Sequence, residues 1–330
     1  PELPRNPTLP RRRRTVGVVH ASNPHRGPRP LPTLPIPRKS SSKPIMQDAI
    51  AKAQVLLEAL GYIQRFHDQV VVVKVGGSIM DDDQRLAGLL TDVVFMNYVG
   101  MQPILVHGGG KAINAAMEKA GLTPKMVGGR RYTDAATLKI AEQVLCGEIN
   151  PFIVNYIREQ GCEAMGLHSL GSDVLFAERI QSGELGLVGE VTDVNTRLLQ
   201  LLVQADAIPV ISTIAHDRDT GDKLNVNADT AAGAVAAMMK AHKLVVVSDT
   251  HGIRMDKDDA ETRISSATAG RINELIDEGV IGTGMLPKVD ACLHAVRGGV
   301  KKAHIIDGRT AHALLLEIYT EEGIGTEITL

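Results

Sequence analysis

Residues 70–78 read Val70-Val71-Val72-Val73-Lys74-Val75-Gly76-Gly77-Ser78, a β-branched run broken by one lysine and stopped by two glycines. A strand with one face in water alternates apolar and polar residues, whereas a run without alternation needs a sheet covered on both faces. Similar runs recur at 103–106, 207–211, 243–247 and 303–306, and segments of helical spacing fall at 84–99, 112–120, 135–145, 151–160, 230–242 and 287–297. Strand alternating with helix predicts an α/β chain built as a sandwich around a mainly parallel sheet. Ahead of it, Met46, Ala49, Ile50, Ala53, Leu56, Leu57, Leu60 and Ile63 form one stripe of 3.6-residue period, which predicts an amphipathic helix over 46–66. Such a helix either packs on its own subunit or serves as an arm between subunits, and the pattern fits both.

The 330 residues carry 36 basic and 38 acidic side chains, 44% hydrophobic residues and three cysteines, Cys146, Cys162 and Cys292. A charge of −2 argues against a nucleic-acid protein working by bulk electrostatics. No apolar run approaches the roughly 20 residues of a membrane-spanning helix. Three cysteines without CxxC spacing make neither a disulfide framework nor a zinc site, so a reducing, cytoplasmic setting is expected. Residues 1–45 differ from the rest: they hold 11 of the 16 prolines and ten Lys or Arg against the single acid Glu2. Proline at that density forbids helix and central strand, and the segment is expected to be a disordered tail rather than an amphipathic transit peptide. A natural start at Met46 is a further expectation.

In an open α/β sheet, ligands bind beyond the carboxyl ends of the strands, so functional residues are expected in the turns after the apolar runs. Lys74-Val75-Gly76-Gly77 and His107-Gly108-Gly109-Gly110-Lys111 both end a strand, and both let backbone N–H groups approach an anion. Neither fits a P-loop, and no G-x-G-x-x-G follows a strand, which weakens a nicotinamide dehydrogenase reading. Gly128-Gly129-Arg130-Arg131-Tyr132-Thr133-Asp134 offers an arginine for a two-pronged carboxylate contact, with surface ion pairing as the plainer role. Asn225-Val226-Asn227-Ala228-Asp229 leads into a helix, where Asp229 is either an N-cap or a buried functional acid. Lys288 opens a helix after Gly282-Thr283-Gly284-Met285-Leu286-Pro287, a place where its charge opposes the helix dipole.

Taken together, the Lys-Val-Gly-Gly turn at 74–77, the His-Gly-Gly-Gly turn at 107–110, Gly129-Arg130-Arg131-Tyr132-Thr133, Asn225-Val226-Asn227-Ala228-Asp229 and Met285-Leu286-Pro287-Lys288 resemble the amino-acid kinase family in order and spacing, over about residues 66–330. Within it the chain is most similar to the acetylglutamate kinase branch. The resemblance implies a three-layer αβα sandwich of about eight strands, with an amino-acid lobe over about 67–212 and an ATP lobe over about 213–330. It implies transfer of the γ-phosphoryl of Mg-ATP to the side-chain carboxylate of N-acetyl-L-glutamate, a step of arginine biosynthesis. Carried over by position, Lys74 and Lys288 neutralise charge and Asp229 orients them. Gly76, Gly77 and Gly110 serve the phosphoryl group, and Gly109, Gly110, Arg131, Asn225 and Asn227 surround the amino acid; no resident metal is implied beyond the Mg2+ of the nucleotide.

The helix over 46–66 and the C-terminal stretch resemble those of acetylglutamate kinases inhibited by L-arginine, in which that helix interlaces dimers into a hexamer. By position His304, Glu317 and Gly323 would meet the effector, and a homo-oligomer is implied. Val174 follows Asp173 where the family usually has a second glycine, which weakens the expectation for the acyl and amino-acid specificity of the 167–174 turn. His107 and His168 are expected to be structural, and the Thr250-His251-Gly252 turn is expected to face the nucleotide. Rival readings are a kinase of the same family acting on aminoadipate, aspartate or glutamate, and a non-catalytic amino-acid sensor on the same scaffold.

Overall fold

The computed structural model describes residues 46–180, 184–256, 258–320 and 323–330, so the expected disordered tail over 1–45 lies outside the described residues. In chain order, α1 (Met46–Phe66) is followed by β1 (Val70–Val75), α2 (Asp83–Tyr98), β2 (Gln102–His107) and α3 (Gly110–Lys119), then by a hairpin of β3 (Met126–Val127) and β4 (Arg130–Arg131). Next come α4 (Ala135–Glu142), α5 (Asn150–Glu159), β5 (Glu163–Leu167), β6 (Leu175–Arg179), β7 (Val188–Val194), α6 (Thr196–Gln204), β8 (Ala207–Ile211), β9 (Ile214–His216) and β10 (Lys223–Val226). The chain continues with α7 (Ala228–Met238), β11 (Lys243–Ser248), β12 (Ser266–Thr268), α8 (Ala269–Asp277), α9 (Leu286–Arg297), β13 (Lys302–Asp307), α10 (Ala313–Tyr319) and β14 (Thr326–Thr329).

The main sheet has eight strands in the order β12-β14-β13-β11-β1-β2-β8-β5. Its pairs are parallel except β13 with β14, so the expectation of a mainly parallel sheet holds and one edge runs the other way. The five apolar runs are its central strands β1, β2, β8, β11 and β13. Their period of two divides them between two cores. Val71, Val73 and Val75 pack with Leu90 and Val93 of α2, Ile153 of α5 and Leu314 of α10. Val72 faces the opposite way and packs with Leu199 of α6, Val235 of α7 and Val289 of α9. Lys74 therefore belongs to the α7 and α9 face, two residues on from Val72 and beside Val106 and Val246 in the neighbouring strands.

Strands β6, β7, β9 and β10 close into a small separate barrel. These were not among the expected strands, because short, half-exposed segments such as Val188–Val194, with valine only at every third position, carry neither clean alternation nor the continuous signal of a doubly covered strand. A second difference concerns the helix expected over 135–145. It ends at Glu142 and passes through a π-helical turn, Gln143–Ile149, directly into α5. Pro151 near the start of α5 cannot donate to the carbonyl of Gly147 and crowds it, and the wider turn accommodates that clash.

The last turns of α1 pack on the body: Phe66 is buried, and Tyr62 meets Tyr319 of α10 edge-on at 6.0 Å. Farther up the same helix Ile50, Val55, Leu56, Leu57 and Leu60 are exposed. Among the described residues no helix is long and apolar enough to cross a membrane.

Candidate active site

The ion-pair centre follows from the fold. Asn227 caps α7: its Oδ1 accepts from the backbone N–H of Asp229 at 2.8 Å and of Thr230 at 3.2 Å. The cap is thus Asn227 rather than Asp229, and the acid, within the first turn of the helix, is left to face β1. Lys74 Nζ stands 2.8 Å from Asp229 Oδ1, with both residues buried. That oxygen accepts no well-aligned hydrogen bond, so the contact is coulombic. Gly233 of α7 runs against the backbone of Ala291, where any Cβ would collide with the Ala291 carbonyl, and this close crossing brings the first turn of α9 beside that of α7. Lys288 on that turn ends 3.9 Å from Asp229 Oδ2. Two lysines 214 positions apart thus meet one carboxylate. Burying an ammonium in a sheet core costs several kcal/mol unless an opposite charge offsets it, and Asp229 supplies that charge.

Around this centre lies a cavity of about 190 Å³ lined by Lys74, Gly76, Gly77, Gly109, Gly110, Arg131, Asn225, Asn227 and Asp229 among others. The structure therefore gathers the proposed substrate and phosphoryl residues, although Lys288 is not part of the cavity's lining. A Cβ at Gly76 would overlap the Lys74 ammonium, and Gly77 has φ +70°, a left-handed conformation that favours glycine. Arg131 Nη2 donates to the Gly110 carbonyl at 2.9 Å, tying the hairpin to the glycine loop, and burial lowers the guanidinium's pKa from its ordinary value. Asn225 Nδ2 donates to Thr133 Oγ1 at 3.1 Å. Ile113, Leu145, Val188 and Thr213 also line the cavity and were missed, since nothing in their local pattern separates them from core residues. Residues 167–174 do not line it; from that turn the Ser169 hydroxyl donates to Glu142 at 2.7 Å and lies 3.7 Å from Cys146.

His107 is fully buried, and burial pushes its pKa down to about 4. It is neutral at pH 7, as a structural residue should be. A second cavity of about 250 Å³ lies farther along the carboxyl ends of the strands, lined by Asp249, Thr250, His251, Gly252, Met285 and Arg309 among others. Its rim is tied together by Asp307, which pairs with Arg309 at 2.7 Å and His251 at 2.8 Å. The Thr250-His251-Gly252 turn thus faces a cavity next to the lysine centre: Asp249 stands over Gly77, 3.7 Å from where a Cβ would lie.

The residues expected to meet an effector lie at the other end of the sheet and on its other face. His304 pairs in register with Val245, so it points toward α10, where its Nδ1 lies 2.5 Å from Glu317 Oε1. Glu317 Oε2 accepts from the backbone N–H groups of Ile324 at 2.7 Å and Gly325 at 3.0 Å. Burial lowers the His304 pKa and works against the Glu317 carboxylate, but the imidazole and the two amides still hold that carboxyl below its usual value. Gly323, with φ +61°, passes so close that a Cβ would sit 2.8 Å from Glu317 Oε1. All three residues line one cavity of about 1230 Å³, together with Tyr62 and Arg65 of α1 and Lys243. Burial pulls the Lys243 pKa down to about 8.

Comparison with known proteins places these features in a family. A sequence model described as the amino acid kinase family matches residues 69–307. An acetylglutamate kinase of Thermoanaerobacter pseudethanolicus is 46% identical over 282 residues, covering 85% of this chain and 94% of the relative. One of Methanocaldococcus jannaschii is 44% identical over 295 residues, covering 86% and 98%. Among solved structures, N-acetylglutamate synthase from Neisseria gonorrhoeae complexed with coenzyme A and N-acetyl-glutamate superposes with a TM-score of 0.75 at 22% identity, over 84% of this chain and 63% of that one. Carbamate kinase from Giardia lamblia bound to AMP-PNP gives 0.60 at 15% identity, over 79% and 98%. At those identities the two structures speak for the fold alone. The family model spans β1 to β13, both glycine turns, Asp229 and Lys288, and the chain belongs to the amino acid kinase family.

Proposed function

We propose that this protein phosphorylates the side-chain carboxylate of N-acetyl-L-glutamate with ATP, giving N-acetyl-L-glutamyl 5-phosphate and ADP. The single observation that carries the reading is the convergence of Lys74 and Lys288 on Asp229 beside two glycine turns. The acceptor carboxylate, with an ordinary pKa near 4.3, is ionised at pH 7, so the reaction asks for no general base. It asks for charge compensation, because an anion must approach a polyanion and the transition state spreads charge over the transferred oxygens.

In this reading Lys74 and Lys288 neutralise that charge from two sides, and Asp229 holds both flexible side chains. Backbone N–H groups of Gly77 and Gly110 approach the migrating group, with Gly76 leaving room for the Lys74 ammonium. Arg131, Asn225 and Asn227 hold the amino acid, with Arg131 on its α-carboxylate. ATP occupies the cavity edged by Asp249, Thr250 and Arg309, so the amino acid lies in the first half of the domain and the nucleotide in the second. Mg2+ fits as the nucleotide's own counter-ion: no cluster of three or more His, Cys, Asp or Glu among the described residues could hold it, and Mg2+ is commonly bound by one or two carboxylates plus phosphates. When bound it supplies further charge neutralisation at the phosphates.

L-arginine is the proposed feedback effector, its guanidinium meeting Glu317 in the large cavity at the opposite end of the sheet, with His304 and Gly323 beside it. The exposed apolar stripe of α1 supports a homo-oligomer joined through that helix, which light scattering of the full chain checks. A coupled assay of ADP release, with N-acetyl-L-glutamate, L-aspartate, L-glutamate and aminoadipate offered in turn, tests the function. Turnover should require N-acetyl-L-glutamate; turnover on one of the others alone, or on none, would overturn the reading.

A further inference from the structure

The π turn between α4 and α5 holds none of the groups assigned to phosphoryl transfer, yet two of its side chains and the first residue of α5 reach the His107–Gly110 turn. Leu145 and Ile149 press on Gly109, where a Cβ would come within 2.8 Å of a Leu145 methyl and 2.6 Å of an Ile149 methyl. Asn150, buried at the point where the turn becomes α5, sends its Nδ2 in two directions, to the Val210 carbonyl of β8 at 2.8 Å and to His107 Nε2 at 3.1 Å. The Val210 carbonyl can only accept, so the nitrogen of the amide faces it and the same nitrogen donates to the imidazole. His107 Nε2 is then the acceptor, and the ring proton must sit on Nδ1. Nδ1 lies 3.1 Å from the carbonyl oxygen of Gly108 and donates to it. In a planar trans peptide the N–H of Gly109 is directed opposite to that carbonyl, so fixing the one aims the other. Gly108, Gly109 and Gly110 all line the cavity beside Lys74.

We propose that Asn150 is a positioning residue for phosphoryl transfer: through His107 it fixes the rotation of the Gly108–Gly109 peptide, so that the glycine N–H groups are set before the phosphoryl group arrives. The proposal rests on the kinase reading and adds to it a relay of Val210 carbonyl, Asn150, His107 and Gly108 carbonyl. The burial that keeps His107 neutral supports it, since an imidazolium would present a proton to Asn150 that the amide nitrogen cannot accept. A π turn offers a reason for the placement: it shifts the helical register by one residue, and such turns recur at functional sites.

Asn150→Asp tests it without removing volume. The carboxylate would accept a hydrogen bond from an Nε2–H, leaving Nδ1 as an acceptor facing the Gly108 carbonyl. Nitrogen-15 NMR of the His107 ring should show the proton on Nδ1 in the wild type and on Nε2 in the variant. Turnover should fall by about tenfold or more, with KM for both substrates within about threefold, because misplaced groups near the reacting centre lose rate before binding. A wild-type tautomer in the variant, or unchanged turnover, would overturn the proposal.

If Asn150→Asp does not fold, His107→Asn and His107→Gln separate the two ends of the relay. The shorter amide can reproduce Nδ1 and its bond to Gly108, while the longer one reproduces only Nε2. His107→Asn should turn over several times faster than His107→Gln, and equal rates would count against the relay. The tautomer readout needs no activity, so failure of the kinase reading, seen as a wild-type protein inactive on every acceptor, is distinct from failure of this proposal.

Discussion

Lys74 lies 2.8 Å from Asp229 whereas Lys288 stops 3.9 Å from the same carboxylate, and the two lysines also differ in setting, the first being 7% exposed in its side chain and the second 18%. The near pair is part of the buried core. The far one stands at the edge of the site.

That asymmetry separates two variants. Lys74→Ala leaves a buried carboxylate without its close partner and should cost about 3 to 5 kcal/mol of stability as well as activity. Lys288→Ala should leave the unfolding midpoint nearly unchanged and lower kcat by about 10²-fold or more, the usual cost of losing one preorganised electrostatic group. Thermal unfolding and steady-state kinetics on both proteins check this. Equal losses of stability would contradict the difference in burial, and wild-type turnover of Lys288→Ala would remove that lysine from the site.

Gly76 has extended backbone, φ −167°, which any residue can adopt, so its lack of a side chain is there for Lys74 rather than for the turn. Gly76→Ala should fold normally and push the Lys74 ammonium aside, lowering kcat by roughly 10²-fold, since displacements of about 1 Å at a reacting centre cost that much. Kinetics with a circular-dichroism control decide it. An alanine variant of full activity would mean that the ammonium has room elsewhere.

Stability should fall in acid partly through His107. Folded, it titrates near 4, against about 6.5 unfolded. Between those values only the unfolded chain takes up the proton, so the contribution is complete above pH 6.5 and is lost as pH falls, by about 2 kcal/mol at pH 5. Urea unfolding of the wild type and of His107→Asn at pH 7.5 and pH 5 checks it: the variant should lose less stability than the wild type over that interval. Equal losses would mean that His107 is accessible to protons in the folded protein.

The proposed effector contact makes Glu317 a direct target. Saturating L-arginine should raise the wild type's unfolding temperature by a few degrees, as a ligand at 100 times its Kd adds about 2.7 kcal/mol. Glu317→Gln removes the carboxylate while retaining a hydrogen-bond acceptor, and should abolish the shift. Calorimetry with L-arginine, and with L-lysine as control, gives the answer; a shift that survives the substitution would place the guanidinium elsewhere.

Much of the fold was legible because burial on both faces writes itself into a strand as an unbroken apolar run. All five such runs became central strands within a residue or so of their expected ends. The small barrel, β5 and the antiparallel edge were not legible, since half-exposed strands such as Glu163–Leu167 carry no such signature. In the site, the glycine turns and lysines stood out by residue type and position. The roles of Asn227 as cap and of Asn150 as partner to His107 did not, because an asparagine's hydrogen bonds depend on what the fold sets beside it.

Local chemistry by itself determined the layered sheet, the two glycine turns and the lone lysine in an otherwise apolar strand, because periodicity and backbone permissiveness act over a few residues. Tertiary structure alone decided that Lys74 and Lys288 share Asp229, and that His304 on the opposite face meets Glu317 far from them. Both outcomes depend on which side of a strand a residue occupies and which helix crosses it there, and those are relations between segments that lie far apart in the chain.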